Sequence, residues 1–388
     1  MYKVRTLNNI SVDGLERLPR ELYEVASELP CPDAVLVRSA DMHNMEIPTS
    51  LKAIGRAGAG VNNIPVERCT EQGIAVFNAP GANANAVKEL VLTGMLIAAR
   101  NVCDAWSYVQ SLEGDDKTIE TCVESAKKTY VGTELLGHTL GIIGLGAIGV
   151  QVANAARTLG MHVIGYDPSI TVDRAWQLSA DVQAADSVDH VLGQSDFVSL
   201  HVPLLEETRG LISGRRVRTM RKGAVLLNFS RAGIVDDAKA VEALDAGHLR
   251  MYVCDFPTRQ LIAHSKVIAL PHLGASTEEA ENNCAIAIAE QLRDYLERGN
   301  VRNSVNLPDA GMPLNGSVRL AIVHANKPNM LGQISTALAE AELNIVDMLN
   351  KSRGTLAYTL IDLENTVCAD LIRRIEAIDG VMKVRLPQ

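Results

Sequence analysis

Short apolar runs alternate with longer amphipathic stretches along most of this chain, and that spacing predicts an α/β fold. The clearest unit is "HTLGIIGLGAIGVQVANAARTLGMHVIGYDP", residues 138–168. An apolar run from Leu140 to Ile143 leads into Gly144-x-Gly146-x-x-Gly149. Ile148, Val152, Ala155, Ala156 and Leu159 then recur at helical spacing, and a second apolar run ends in Asp167. Strand candidates follow at 197–203, 224–230, 251–256 and 266–271, with helical stretches such as 236–246 between them. Such alternation builds a parallel, doubly wound sheet whose ligands gather beyond the carboxyl ends of its strands. His201, Ser230 to Gly233, Asp255 and His272 all fall at such ends.

The pattern changes after residue 306. Residues 307–316 carry Pro308, Gly311, Pro313 and Gly316 and read as a linker. Beyond them come a strand (317–324), a helix (330–342), two strands (344–352 and 355–363), a helix (369–378) and a strand (381–386), a βαββαβ module. Residues 101–137 read as a charged helical insertion, placed on the surface or at a dimer contact. Nearer the N-terminus, "GRAGAGVNN" and "NAPGANAN" are two glycine- and asparagine-rich loops, each after a short apolar strand. They read equally as plain turns or as loops whose N–H groups meet an anion beside the charge of Arg56.

Composition narrows the function. A chain of 388 residues, 47% hydrophobic and 21% charged, predicts two or three domains with ordinary cores. A formal charge of −9 argues against a nucleic-acid surface, which needs clustered Lys and Arg. The start "MYKVRTLNNI" lacks the apolar core of a secretion signal, and no apolar run reaches the ~20 residues of a membrane span, so a cytoplasmic protein is expected. The cysteines are scattered and never spaced as Cys-x-x-Cys, which predicts reduced thiols and neither a disulfide framework nor a zinc site.

The glycine motif has a specific physical logic. Gly144 permits a tight turn, Gly146 lets backbone N–H groups approach a pyrophosphate, and Gly149 lets the helix pack close to the strand. Asp167 can accept hydrogen bonds from an adenosine ribose and would repel a 2′-phosphate, which favours NAD over NADP. The same residues also fit a strand-turn-helix that holds no ligand.

Six segments occur in the order "GRAGAGVNNI", "NAPGANANAV", "GIIGLGAIG", "HVPLLEETRGLI", "NFSRAGIVDD" and "PHLGAST". With them the chain resembles the D-isomer-specific 2-hydroxyacid dehydrogenases over about residues 30–306. The resemblance implies a Rossmann-type NAD-binding domain (97–274) inserted in a flavodoxin-like substrate-binding domain (1–96 and 275–306). It implies that Gly144, Gly146, Ala147, Ile148, Gly149, Asp167, His201, Pro203, Thr208, Ser230 and Asp255 hold NAD, Asp255 through the nicotinamide carboxamide. Arg231 would bind the substrate carboxylate and polarise its carbonyl. His272 would take the hydroxyl proton as hydride leaves C2. Arg56, Gly58, Ala59, Gly60, Val61 and Asn83 match substrate-contacting positions, with Arg56 assigned to the phosphate of 3-phosphoglycerate. The implied activity is oxidation of 3-phosphoglycerate to 3-phosphohydroxypyruvate, the first step of L-serine biosynthesis, in a homodimer or homotetramer. Another D-2-hydroxy acid as substrate, or a non-catalytic NAD(H)-sensing role, are the alternatives.

One position departs from that family. Its histidine is oriented by a glutamate five residues after the nicotinamide aspartate, and here that count from Asp255 reaches Gln260, with Glu278 or Glu279 as the alternative partners of the ring. An amide can fix the imidazole ring by a hydrogen bond but adds no charge to stabilise imidazolium, a pairing also similar to the formate dehydrogenases of this superfamily. The tail, 317–388, resembles the ACT domain, a ferredoxin-like module that binds amino acids between copies. His324, Asn326 and Asn344 match its serine-binding pattern, and Asn329 stands where a glycine is usual. That resemblance implies either feedback by L-serine or a purely structural role in oligomerisation.

Overall fold

The computed structural model describes residues 1–316 and 318–387; Ser317 and Gln388, the two ends of the expected tail module, lie outside the described residues. The chain folds into two compact units, Met1–Asn83 with Glu278–Gln388, and Ala84–Thr277. No helix among the described residues is long and apolar enough to cross a membrane.

The unit Ala84–Thr277 is built on a seven-stranded parallel sheet. Its strands lie in the spatial order Gln183–Ala184, His162–Tyr166, Thr139–Ile143, Phe197–Leu200, Ala224–Asn228, Leu249–Cys254 and Val267–Ala269. The first three run backwards through the chain and the rest forwards, which is the doubly wound Rossmann order. The direction switches between Thr139–Ile143 and Phe197–Leu200, where sheets of this kind bind their ligands. Every residue of Phe197–Leu200 and Ala224–Asn228 is buried, and the strands are apolar apart from Ser199 and Asn228. Helices Ala84–Arg100 and Ala147–Thr158 cover one face with Met95, Ala98, Val152 and Ala156. Helices Val188–Gln194 and Asp237–Asp245 cover the other with Val191, Leu192, Ala240 and Leu244. The domain boundary expected at 96/97 falls inside helix Ala84–Arg100, which belongs whole to this unit because its apolar stripe packs on this sheet.

The other unit carries a five-stranded parallel sheet in the order Tyr23–Ala26, Tyr2–Leu7, Ala34–Val37, Ala53–Arg56 and Ala75–Phe77, the flavodoxin-like arrangement. Helix Glu278–Arg298 buries Ala285, Ile288, Leu292 and Tyr295 in its core. The tail forms an antiparallel sheet in the order Ile345–Arg353, Leu356–Leu363, Val318–Ala325 and Val381–Arg385, with the ferredoxin-like topology expected of an ACT module. Helices Met330–Glu340 and Ala369–Glu376 pack Ile334, Leu338, Leu371 and Ile375 on one face of it.

The opposite face of that sheet is not free. Ala321, Val323, Tyr358 and Leu360 share one core with Ile288, Leu292 and Tyr295 of the long helix. Residues 307–316, expected to act as a linker, are fixed in place: Leu307, Ala310 and Met312 are buried, and Ala310 bridges Val301. Arg319, buried, pairs with the buried Asp362 through Nε at 2.6 Å and Nη2 at 2.8 Å. The same guanidinium donates to the carbonyls of Arg298, Met312 and Pro313 at 3.0, 2.8 and 2.7 Å. The prolines and glycines here therefore shape turns of a packed connection, and the tail belongs to the same unit as Met1–Asn83.

Breaking a buried, hydrogen-bonded ion pair leaves a bare charge in the interior and costs about 3–5 kcal/mol, whereas an apolar pair of like volume is nearly neutral. Asp362→Ala should therefore lower the urea midpoint by a corresponding amount, and the double variant Arg319→Met, Asp362→Leu should recover most of that loss.

Candidate active site

The glycine turn closes at the switch point of the sheet. Gly144 has φ +96°, and a Cβ there would lie 2.7 Å from the His201 carbonyl oxygen; a Cβ on Gly149 would lie 2.0 Å from the Gly144 carbonyl oxygen. Both positions accept glycine alone. A Cβ on Gly146 meets nothing within 4 Å, so backbone N–H groups there are open to a ligand, as are those of Ala147 and Ile148 at the start of helix Ala147–Thr158. The Asp167 carboxylate has a structural task that the sequence did not reveal. Its Oδ2 accepts from Leu145 N and its Oδ1 from Ser169 N, each at 2.8 Å, so it ties the turn together. Each oxygen keeps a second lone pair for a ribose hydroxyl.

On the neighbouring strand, His201 N donates to Ile143 O at 2.8 Å and its Nε2 lies 2.9 Å from Ser199 Oγ. Burial pushes the imidazole pKa down to about 4, so the ring is neutral at ordinary pH. Pro203 and Thr208 form one closed loop with it: Thr208 Oγ1 donates to Pro203 O at 2.5 Å and accepts from Leu205 N at 2.7 Å.

The catalytic candidates sit at the ends of the next strands. Asn228, which sequence reasoning passed over, is buried at the end of Ala224–Asn228. Its Oδ1 accepts from Ser230 N at 3.2 Å and its Nδ2 donates to Arg231 O at 3.0 Å, while Ser230 Oγ donates to Leu200 O at 2.5 Å. The signal was a single amide closing an otherwise apolar strand. With its backbone held this way, the Arg231 side chain stays exposed, and its Nη1 donates to Ser230 O at 2.7 Å.

Asp255 is buried at the end of Leu249–Cys254. Its Oδ2 accepts from Gly274 N at 3.2 Å and its main-chain oxygen from His272 N at 3.1 Å, but its buried Oδ1 has no hydrogen-bond partner among the described residues. Burial raises its pKa, opposed by His272, by backbone N–H groups and by Arg231. A buried acceptor with no donor is costly, and a carboxamide N–H is a group that would satisfy it. This oxygen and the open side of Gly146 together fit a nicotinamide dinucleotide.

His272 has φ +52°, a left-handed conformation that side chains rarely adopt. Its N–H also reaches Leu270 O at 3.0 Å, and its ring centroid lies 5.0 Å from that of Phe256. Gln260, expected to hold that ring, is exposed on helix Arg259–Ile262 and shares no hydrogen bond with His272 among the described residues. The reason is local. Thr258 caps this short helix, its Oγ1 accepting from Leu261 N at 3.4 Å, and Gln260 falls in the solvent-facing first turn.

The substrate-side residues lie in the other unit. Arg56 ends strand Ala53–Arg56, and its Nε donates to Arg38 O at 3.1 Å. A Cβ on Gly58 would lie 2.0 Å from Arg56 Nη1, so glycine makes room for this guanidinium. Asn78 Nδ2 donates to Ala59 O at 2.6 Å and Ala79 N to Gly58 O at 2.9 Å, which fixes the loop that continues through Gly60 and Val61. Asn83 precedes helix Ala84–Arg100. Arg38, not expected from sequence, follows the adjacent strand Ala34–Val37 and pairs with Glu281. Buried Cys284 feels the charge of both Arg56 and Arg38, so two cations share this strand-end region. The signal was a second arginine, in "VRSA", directly after an apolar strand.

In the tail, His324 is buried, with Nε2 2.8 Å from Thr359 Oγ1 and Nδ1 2.8 Å from Ala325 O. Asn326 Nδ2 donates to Gly354 O at 3.1 Å and Asn344 Nδ2 to Glu364 Oε2 at 3.4 Å. These asparagines flank opposite ends of strand Leu356–Leu363, roughly 30 Å apart at the rise of a β-strand. Within one chain they do not converge.

Residues 92–274 match the family described as D-isomer specific 2-hydroxyacid dehydrogenase, NAD binding domain. The chain is 36% identical to the D-3-phosphoglycerate dehydrogenase of Methanocaldococcus jannaschii and 32% identical to that of Haemophilus influenzae; each match takes in 88% of this chain, and 63% and 82% of those proteins. This chain belongs to the D-isomer specific 2-hydroxyacid dehydrogenases. It spans 63%, 59% and 56% of the length of the Methanocaldococcus, Bacillus subtilis and Archaeoglobus fulgidus relatives. Among solved structures of the family, NAD+-bound 3-phosphoglycerate dehydrogenase of Entamoeba histolytica superposes with a TM-score of 0.61 at 26% identity, over 79% of this chain and 98% of that one. D-mandelate dehydrogenase of Rhodotorula graminis shares the fold, with a TM-score of 0.66 at 23% identity over 80% and 98% of the two chains. The family's NAD-binding domain is thus the unit built on the Gly144 turn.

His201 gives this unit a pH signature. The folded state holds the ring neutral down to about pH 4, while the unfolded chain takes up the proton near 6.5. Between these values the unfolded state binds more protons, so stability should fall as pH drops from about 6.5 towards 4, by at most ~3 kcal/mol. His201→Asn should flatten that slope in denaturant titrations; an unchanged slope would assign it to other groups.

Proposed function

We propose that this chain is a cytoplasmic NAD-dependent dehydrogenase that oxidises 3-phosphoglycerate to 3-phosphohydroxypyruvate. The observation that carries the reading is the set of strand ends bearing Arg231, Asp255 and His272, with the Asp255 Oδ1 buried and unpartnered. When bound, NAD supplies the acceptor for the hydride that leaves C2. The rest falls to this chain. Arg231 pairs its planar guanidinium with the substrate carboxylate and polarises the C2 oxygen. His272 takes the hydroxyl proton as the carbonyl forms, and returns it in the reverse direction. Asp255 holds the nicotinamide end, and Asp167, whose charge repels a 2′-phosphate, sets the preference for NAD. In the other unit, Arg56 and Arg38 are the cations whose charge suits a phosphate.

The assembly that suits this activity is a homodimer or homotetramer. Helices Val102–Gln110 and Asp116–Ala126 bury no residue within the chain and leave Trp106 66% exposed, a composition that suits a second copy. A serine site formed by His324, Asn326 and Asn344 would take Asn344 from a second copy, because the two asparagines are far apart in one.

The test is NADH oxidation by the purified chain with 3-phosphohydroxypyruvate. His272→Asn should lower kcat by about 10²–10⁴-fold with NADH binding intact. Arg231→Ala should lower kcat/KM by about 10²-fold or more, mostly through the keto acid. NADH binding without turnover in the parent would instead favour an NAD(H)-sensing role.

A further inference from the structure

We propose that Phe256, not Gln260, is the positioning residue that aims the His272 ring. The inference rests on the reading of His272 as the proton-transfer group. The backbone of His272 is held in its left-handed turn by one N–H shared between Asp255 O at 3.1 Å and Leu270 O at 3.0 Å, and Gly274 N is pinned to Asp255 Oδ2 at 3.2 Å. That clamp fixes where the side chain begins, not how its ring turns. The contact that the ring itself makes is with Phe256, the residue next to the clamp, at 5.0 Å between centroids and 54° between planes. Phe256 is half-buried, whereas Gln260 is exposed.

An aromatic partner does two things that an unattached amide cannot. It restricts rotation of the imidazole, and its negative face favours the ring when positively charged. The charged groups of this unit around the pair are Asp255 and Arg231, which act on each other and, for Asp255, on His272. With both in place, replacing Phe256 isolates the aromatic contribution.

The experiment is an NMR spectrum of the full chain, free of cofactor, with ¹³Cε1-labelled histidine, the His272 signal being assigned by its loss in His272→Asn. In the parent the signal is displaced by the ring current of Phe256. Phe256→Leu should remove that displacement, Phe256→Tyr should preserve it, and Gln260→Ala should leave it where it was. In turnover, Phe256→Leu should lower kcat at least about tenfold with the KM for NADH unchanged, and Phe256→Tyr should rescue it. A His272 signal indifferent to Phe256→Leu, or moved as far by Gln260→Ala, would overturn the proposal. So would a Phe256→Leu loss that appears only as a lower melting temperature and is not rescued by tyrosine. A parent chain without turnover sinks the dehydrogenase reading instead, and the spectrum still decides the role of Phe256.

Discussion

The interaction on which the site depends is the clamp between the end of strand Leu249–Cys254 and the turn at His272. A buried aspartate uses its main-chain oxygen for His272 N and one carboxylate oxygen for Gly274 N, and so holds a histidine in a conformation that histidine alone would not keep. The remaining oxygen is buried and unpartnered, a cost in the free chain that an amide donor removes. One residue thus links backbone strain and histidine placement, and under the proposed function it would also meet the cofactor. The parallel sheet supplies the precondition, because it delivers Gly144, His201, Arg231 and Asp255 at the carboxyl ends of its strands.

The tail shows the same economy of connection on the substrate side. Its antiparallel sheet is covered on both faces, by its own helices and by helix Glu278–Arg298. That helix also carries Glu281, which pairs with Arg38, and Cys284, which lies within reach of the charges of Arg38 and Arg56. A ligand that altered the packing of the tail would therefore press on the helix that neighbours the two substrate-side arginines. The link is one of contiguous packing; coupling along it would require two arrangements of that helix with different affinity for the substrate.

Much of this was legible in the sequence, and the reasons are physical. The apolar runs at 140–143, 224–230 and 251–256 have the length and continuity of strands buried on both faces, so their order and the polar residues at their ends could be read directly. The βαββαβ order of the tail was equally plain. Its attachment was not, since Pro308, Gly311, Pro313 and Gly316 look the same in a free linker and in a packed turn. The clue lay in "LAYTLIDL", where both faces of the strand are apolar apart from Thr359 and Asp362. Gln260 was misplaced because counting along a motif ignores where a helix begins, and Thr258 begins one there. Asn228 and Arg38 escaped notice because each looks, in sequence, like an ordinary polar residue after a strand.

The measurement that tests the central claim most directly is the fate of labelled hydride. The chain is mixed with 3-phosphohydroxypyruvate and NADH carrying deuterium at the transferable C4 position, and the phosphorylated product is examined by mass spectrometry and NMR. Direct transfer at the Arg231 and His272 site predicts one deuterium at C2 of D-3-phosphoglycerate for each NADH consumed. Consumption of NADH without label at C2, or tight binding of labelled NADH with no product, would contradict the account.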